Sequence, residues 1–224
     1  MALATEVRLY AIDARAVSDP QLARWSATLD GTETTRAERF VFEKHRRRFL
    51  AAHGFLREIL GRELGCSPQA IEFDFGAHGK PRVRGSGPHF SLTHTGEHAL
   101  VAVSDRELGL DAEEIRPARV DAPLAQRVMT DEEFQCWTKA ERVEQVAAFF
   151  RLWCAKESVM KSSGRGMDLG PQGFAVLAPG SLDVGAQVTV DGKRWTVQAL
   201  EGGREYSLAL STDGEARVVR ASSS

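Results

Sequence analysis

A chain of 224 residues, 42% hydrophobic and 27% charged, has the composition of an ordinary globular protein, long enough for a core in one large or two small domains. Its formal net charge of −2 supplies no whole-molecule field to steer nucleic acid or an acidic partner, so attraction must come from local patches. No run approaches the ~18 apolar residues of a bilayer span, and "MALATEVRLYAID" lacks a basic segment followed by an apolar one; the expectation is a cytoplasmic protein with no membrane partner.

In chain order, "VRLYAID" predicts a strand, and a helix follows over "RAERFVFEKHRRRFLAAHGFLREIL", closing at Gly61 or Gly65. The segments "IEFDF", "PHFSLTH", "HALVAVS" and "LGLDAEE", with turns at "TGE" and "DRE", predict a meander of hairpins. Thr130 and Glu133 in "TDEE" have capping-box form and open one helix; "VEQVAAFFRLWCAKESVMKSS" predicts another. Beyond the glycine-rich "SSGRGMDLGPQG", strands are expected in "FAVLA", "AQVTVDGKRWTVQAL" and "EYSLALS", and "ASSS" is expected to fray. Cys66, Cys136 and Cys154 are odd in number and lack metal or redox spacing, which predicts reduced packing residues. Strand, helix and hairpins precede strand, helices and hairpins, an order compatible with a duplicated α+β unit and no stronger than that.

The chemistry starts at "LGLDAEEI". Asp111 and Glu113 lie two apart in a strand, so their carboxylates share a face, an arrangement that repels unless a cation sits between them or water surrounds both. On the later helix, at about 100° per residue, Val146, Phe149, Phe150, Trp153 and Met160 fall in one stripe. Glu157 lies inside that stripe and Lys161 at its edge. An exposed i,i+4 pair worth a few tenths of a kcal/mol is the commoner meaning of Glu-x-x-x-Lys, but such a pair has no reason to occupy the apolar face while the one with Arg151 and Ser158 is free. A carboxylate there needs a partner or a metal.

Arg48 shares a face with Phe49, Ala52, Leu56 and Ile59, whereas Arg46 and Arg47 project away. "KHRRR" is therefore read as a solvated basic face and not as a nucleic-acid patch, while Arg48 needs an anion, more often a protein carboxylate than a ligand phosphate. "GAHGKPRV" places Lys80 in a turn that displays a cation, and "FSLTHTGE" places Thr93 and His94 beside a glycine turn. His89, His94 and His98 lack the helical or cysteine-paired spacing of zinc sites. Three oxygen ligands suit Mg²⁺ with water and phosphate completing its shell, and Arg48, Lys80, Thr93, His94 and Lys161 would hold a phosphate-rich ligand.

"GKP", "FSLTHTGEHALVAVS", "GLDAEE" and "FFRLWCAKESVMKSSGRG", in that order and spacing over about residues 30 to 175, resemble the Sfp-like class of 4′-phosphopantetheinyl transferases. The family's G-[IV]-D-x-E strand is matched by Asp111 and Glu113, and its W-x-x-K-E-[AS]-x-x-K helix by Trp153, Lys156, Glu157, Ser158 and Lys161. The resemblance implies an α+β monomer of two similar halves, residues 1–107 and 108–224, related by a pseudo-two-fold axis with the site between them. It also implies transfer of phosphopantetheine from coenzyme A to a serine of an apo acyl, peptidyl or polyketide carrier protein, leaving adenosine 3′,5′-bisphosphate. By the same resemblance Asp111, Glu113 and Glu157 hold Mg²⁺, with Mn²⁺ as a substitute; Glu157, Lys161 and Asp111 are catalytic, Glu157 as general base. Arg36, Arg48, Lys80, Ser91, Thr93, His94 and Lys161 bind the coenzyme.

This chain has Thr93-His94-Thr95 where the family often has Ser-His-Ser, which keeps the hydroxyls and adds methyl bulk. Ala112 cannot ligate a metal, and strand alternation turns Glu114 away from the site. Two other readings compete: a Mg²⁺-dependent phosphodiester or nucleotide hydrolase on the same carboxylates, and a non-catalytic coenzyme A or nucleic-acid binding module centred on "KHRRR", which leaves Glu157 unexplained. Residues in "RVMTDEEFQCW" are candidate carrier contacts, and the carrier served is not readable from one chain.

Overall fold

Alternating buried and exposed positions in "TEVRLYAID" form strand β1 (Thr5–Asp13) of the computed structural model, which describes residues 4–185, 187–203 and 205–222. Three helices follow, α1 (Asp19–Ser26), α2 (Gly31–Glu38) and α3 (Glu43–Leu64), then strands β2 (Phe73–Phe75), β3 (Pro81–Val83), β4 (His89–Thr95), β5 (His98–Ser104) and β6 (Leu108–Glu114). Helices α4 (Ala122–Val128), α5 (Asp131–Thr138) and α6 (Arg142–Ser163) precede β7 (Gln187–Val190), β8 (Lys193–Leu200), β9 (Tyr206–Thr212) and β10 (Ala216–Arg220). The fold is α+β, with two four-stranded sheets in the orders β10-β1-β5-β4 and β6-β9-β8-β7 and a small β2-β3 ribbon.

Each sheet carries one long helix. Phe55, Leu56, Ile59 and Leu60 of α3 pack on Phe90, Val101 and Val103, while Leu152, Ala155 and Val159 of α6 pack with Trp195, Val197 and Ala209. The opposite faces meet each other: Val7, Leu9, Leu100 and Ala102 of the first sheet bury against Leu108, Leu110, Leu208 and Leu210 of the second. Strand β5 is therefore apolar on both faces, which explains its unbroken "ALVAV" run. Among the described residues no helix is long and apolar enough to cross a membrane.

Several expectations need correction. The long early helix is two helices: a capping box, Asp30 with Glu33, opens α2, the chain turns at residues 39–42, and α3 then runs to a left-handed Gly65 (φ 64°). Val41 and Phe42, inside the span expected to be one helix, are 89% and 63% exposed at that turn. "LGLDAEE" does not continue the meander, because β6 pairs with β9 of the other sheet. "FAVLA" makes only an isolated Leu177–Val184 bridge; the Val176 and Leu177 N–H groups donate to the Glu133 carboxylate at 2.8 and 3.3 Å instead of to a strand. β10, absent from the sequence reading, adds in parallel to β1, and Ala221 still donates to the Leu9 carbonyl at 2.9 Å. Ser223 and Ser224 of the expected fraying tail lie outside the described residues.

Candidate active site

Gly109 determines how closely α6 approaches β6. A Cβ at that position would overlap the Ser158 carbonyl oxygen and the Ser162 amide, so only glycine lets the helix backbone lie on the strand, and Ser158 and Ser162 are correspondingly small and buried. That approach places Glu157 beside the strand face carrying Asp111 and Glu113: one oxygen from each carboxylate lies within 4.8 Å of the others. Residues from two elements about forty positions apart thus make one acidic cluster. The face with Ser158, expected to be free, is the one buried on β6, and Leu152, Cys154, Ala155 and Val159 are 0% exposed. Contact with the strand explains the placement of Glu157 better than an apolar stripe does.

The cluster is electrostatically under-compensated. Lys161 Nζ lies 2.7 Å from Asp111 Oδ1, which also accepts from Thr93 Oγ1 at 3.3 Å, but the other oxygen, Oδ2, is buried with no hydrogen-bond partner. Burial first, then the charges of Asp111 and Glu113, push the Glu157 carboxyl up to about 8 despite the opposing Lys161 cation. Glu113 is raised by burial and then by Asp111, partly offset by a hydrogen bond from Trp153 Nε1 at 3.3 Å. Three crowded oxygen donors, one of them a buried orphan, fit a hard divalent cation. Among the described residues His89, His94 and His98 form no such cluster.

The hydroxyls of β4 are engaged inside the protein. Ser91, Thr93 and Thr95 share one face of that strand and accept the N–H groups of Leu110, Ala112 and Glu114 at 3.0, 3.2 and 2.6 Å. Side-chain oxygens thereby satisfy the outer edge of β6, where a neighbouring strand would otherwise pair. Thr93 Oγ1 also lies 3.3 Å from Lys161 Nζ. The ladder joins the two sheets beside the acidic cluster.

Other basic residues divide. Lys80 is not displayed by its turn: it reaches inward to donate to the Ser162 and Leu108 carbonyls at 2.8 and 3.3 Å, and burial lowers its pKa to about 8. Arg48 takes the protein carboxylate of Glu97 and lines a separate depression with Arg15, Glu114 and Arg116. Arg46 and Arg47 pair with Glu43 and Asp19 at the surface, and Glu114 turns away to Arg116. A cleft of about 340 Å³ instead gathers Arg36, His53, Lys80, Ser91, His94 and Lys161. His94 is exposed at the rim; partial desolvation of its ring, followed by the charges of Lys161, His53 and Arg36, lowers its pKa. Arg36 lies over the Phe49 ring at 5.2 Å and makes no ion pair among the described residues.

Sequence reasoning assigned no role to three residues that shape this region. Trp153 orients Glu113. Lys156, wholly buried, pairs with Glu133 at 2.7 Å and donates to the Pro171 and Phe174 carbonyls at 2.7 and 2.5 Å, fixing the glycine-rich segment. His53 stacks on Phe49 four residues earlier in α3, a spacing that could have exposed it.

Carboxylate oxygens beside a basic cleft have the chemistry to take a hard cation and a phosphate group. A family model described as the 4′-phosphopantetheinyl transferase superfamily matches residues 107–211, which include the acidic cluster. The chain is 38% identical over 170 residues to the 4′-phosphopantetheinyl transferase HetI of Nostoc sp., covering 74% of this chain and 71% of that one. It is 31% identical over 173 residues to the transferase psf-1 of Bacillus pumilus (75% and 73% covered) and 24% over 163 residues to Sfp of Bacillus subtilis (72% of each). The chain belongs to the 4′-phosphopantetheinyl transferase superfamily and is a transferase of that type.

Proposed function

We propose that this protein moves 4′-phosphopantetheine from coenzyme A to a serine of an apo acyl, peptidyl or polyketide carrier protein and releases adenosine 3′,5′-bisphosphate. It does so as a cytoplasmic monomer of two α+β halves, residues 1–107 and 108–224, related by a pseudo-two-fold axis, with β10 returned to the first sheet. The observation that carries this reading is the buried, unpartnered Asp111 Oδ2 in a cluster with Glu113 and Glu157, next to a basic cleft. Those three residues would hold Mg²⁺, or Mn²⁺ in its place. When bound, such an ion supplies positive charge to pyrophosphate oxygens.

The chain's own groups do the rest. Lys161, lining the cleft and held by Asp111, is placed to offset charge on the departing phosphate oxygen, while Arg36, Lys80 and His94 in the same lining favour an anionic ligand. The serine oxygen forms a bond to the phosphorus carrying pantetheine, and the bond from that phosphorus to the bridging oxygen breaks. Adenosine bisphosphate leaves with the electron pair, and the serine proton passes to the Glu157 carboxylate directly or through one water. Mass spectrometry of apo carriers incubated with the protein, coenzyme A and Mg²⁺ tests the reading. A gain of one phosphopantetheine is expected. Consumption of coenzyme A without any carrier would make the protein a hydrolase, and modification of no carrier class would end the proposal.

A further inference from the structure

We propose that Thr93 is a positioning residue: it fixes the plane of the Asp111 carboxylate, so that one oxygen stays free for a divalent cation, instead of touching the coenzyme. This rests on the reading of the site given above and adds how one of its ligands is oriented.

The Thr93 hydroxyl is fully committed inside the protein. Thr93 is 4% exposed, and although its strand neighbours Leu92 and His94 line the 340 Å³ cleft, Thr93 does not. A threonine hydroxyl has one hydrogen to donate and two lone pairs to accept with. The Ala112 N–H donates to Thr93 Oγ1 at 3.2 Å and the Lys161 ammonium at 3.3 Å, while the hydroxyl hydrogen goes to Asp111 Oδ1, also at 3.3 Å. A phosphate oxygen is an acceptor only, so it could bond to Thr93 only by taking the hydrogen that Asp111 now receives.

The two oxygens of Asp111, a residue 2% exposed, are held unequally. Oδ1 accepts from Lys161 at 2.7 Å and from Thr93, whereas Oδ2 is buried with no hydrogen-bond partner. The last torsion of an aspartate is broad and roughly two-fold, so a carboxylate held at one oxygen by a single flexible group keeps much of its freedom. Lys161 is such a group: its ammonium rides on a four-carbon stem and also donates to the Leu110 carbonyl at 3.2 Å. Thr93 is stiff by comparison. Its β-branch restricts the first torsion, and the bond from the Ala112 N–H ties its oxygen to the residue next to Asp111. The threonine methyl, relative to the serine that the family often has there, therefore steadies the hydroxyl.

Satisfying the open edge of β6 does not require any of this. Ser91 and Thr95 accept the Leu110 and Glu114 N–H groups at 3.0 and 2.6 Å, and among the described residues neither hydroxyl reaches a carboxylate. Of the three, Thr93 alone joins the backbone of β6 to the acidic cluster.

Calorimetric titration with Mg²⁺ alone, without coenzyme or carrier, compares the wild type with Thr93→Val, Thr93→Ser and Thr95→Val. Thr93→Val keeps the shape and removes the hydroxyl, and its Mg²⁺ affinity should fall about tenfold, the low end for losing a group that orients a metal ligand. Thr93→Ser should recover most of that loss. Thr95→Val, which gives up the same kind of backbone bond, should melt at a lower temperature yet bind Mg²⁺ as the wild type does. At saturating Mg²⁺ the KM for coenzyme A should be unchanged in Thr93→Val. A raised KM with unmoved Mg²⁺ affinity would make Thr93 a coenzyme contact, and equal losses of Mg²⁺ affinity in Thr93→Val and Thr95→Val would make its role purely structural; either result overturns the proposal. If Thr93→Val does not fold, Thr93→Ala, whose smaller side chain admits water to the Ala112 N–H, takes its place. If no carrier is modified yet loss of the Thr93 hydroxyl weakens Mg²⁺ binding, the transferase reading fails and the role of Thr93 stands; if transfer occurs and Mg²⁺ affinity is unmoved, Thr93 fails alone.

Discussion

Lys161 Nζ sits 2.7 Å from Asp111 Oδ1, while the second oxygen of that aspartate is buried without a partner. One ammonium faces three carboxylates, so the ion-free site carries unmet negative charge, and it responds by holding a proton on Glu157.

Glu157→Gln keeps shape and removes the charge. Transfer should fall by about 10² to 10⁴, the usual span for a lost general base, with further loss from the missing ligand, while coenzyme A still binds through the cleft. Paired turnover and binding measurements check this; near-normal turnover would remove Glu157 from the proton transfer.

The pH dependence has a defined sign. Glu157 rises from an ordinary 4.5 to about 8 on folding, so between those values the folded protein holds a proton that the unfolded chain has released. Stability of the ion-free protein should therefore decline as pH rises through that window. Lys80, lowered from 10.5 to about 8, acts in the opposite sense, but only above pH 8. Melting curves at pH 5 to 8, with and without Mg²⁺, should show decline without the ion and a stabilisation by Mg²⁺ that grows with pH. Calorimetry should find protons released on binding.

Gly109→Ala forces a methyl into the α6 backbone, which cannot yield as a flexible side chain would. Overpacking typically costs ~1–3 kcal/mol, and a contact with helix backbone belongs at the top of that range. Chemical denaturation should show the loss, and Mg²⁺ affinity should fall with it because α6 carries Glu157.

Two residues of the same helical motif should separate by phenotype. Trp153→Phe removes the indole N–H from Glu113 and should weaken Mg²⁺ dependence about tenfold with little change in melting temperature. Lys156→Met leaves the buried Glu133 carboxylate without its counter-charge and should cost roughly 3–5 kcal/mol of stability. Reversal of these two outcomes would exchange the roles assigned to them.

The legible parts were those set by neighbours in the chain. Short β-prone runs, bounded by turn residues around the hairpins, marked β1, β4, β5, β6 and β9, Thr130 and Glu133 marked the start of α5, and two-residue spacing put Asp111 and Glu113 on one face. The Asp191-Gly192 pair, both at positive φ, turned "VTVDGKRWTV" into the expected hairpin. Arg48 and Lys80 were marked as cations with something to bind. That Arg48 chose Glu97 and that Lys80 turned inward to carbonyls depended on what lay opposite, information a single segment does not contain.

From the sequence alone come the periodicities, the caps and the motif spacing, because each reflects the geometry of a few consecutive residues. Tertiary structure alone decided that β6 leaves β5 for β9, that three β4 hydroxyls satisfy its open edge, and that Glu157 meets Asp111 across the gap Gly109 leaves. These are pairings between distant segments, selected by which backbone donors and acceptors would otherwise be buried unsatisfied, and no local pattern of apolar residues encodes that choice.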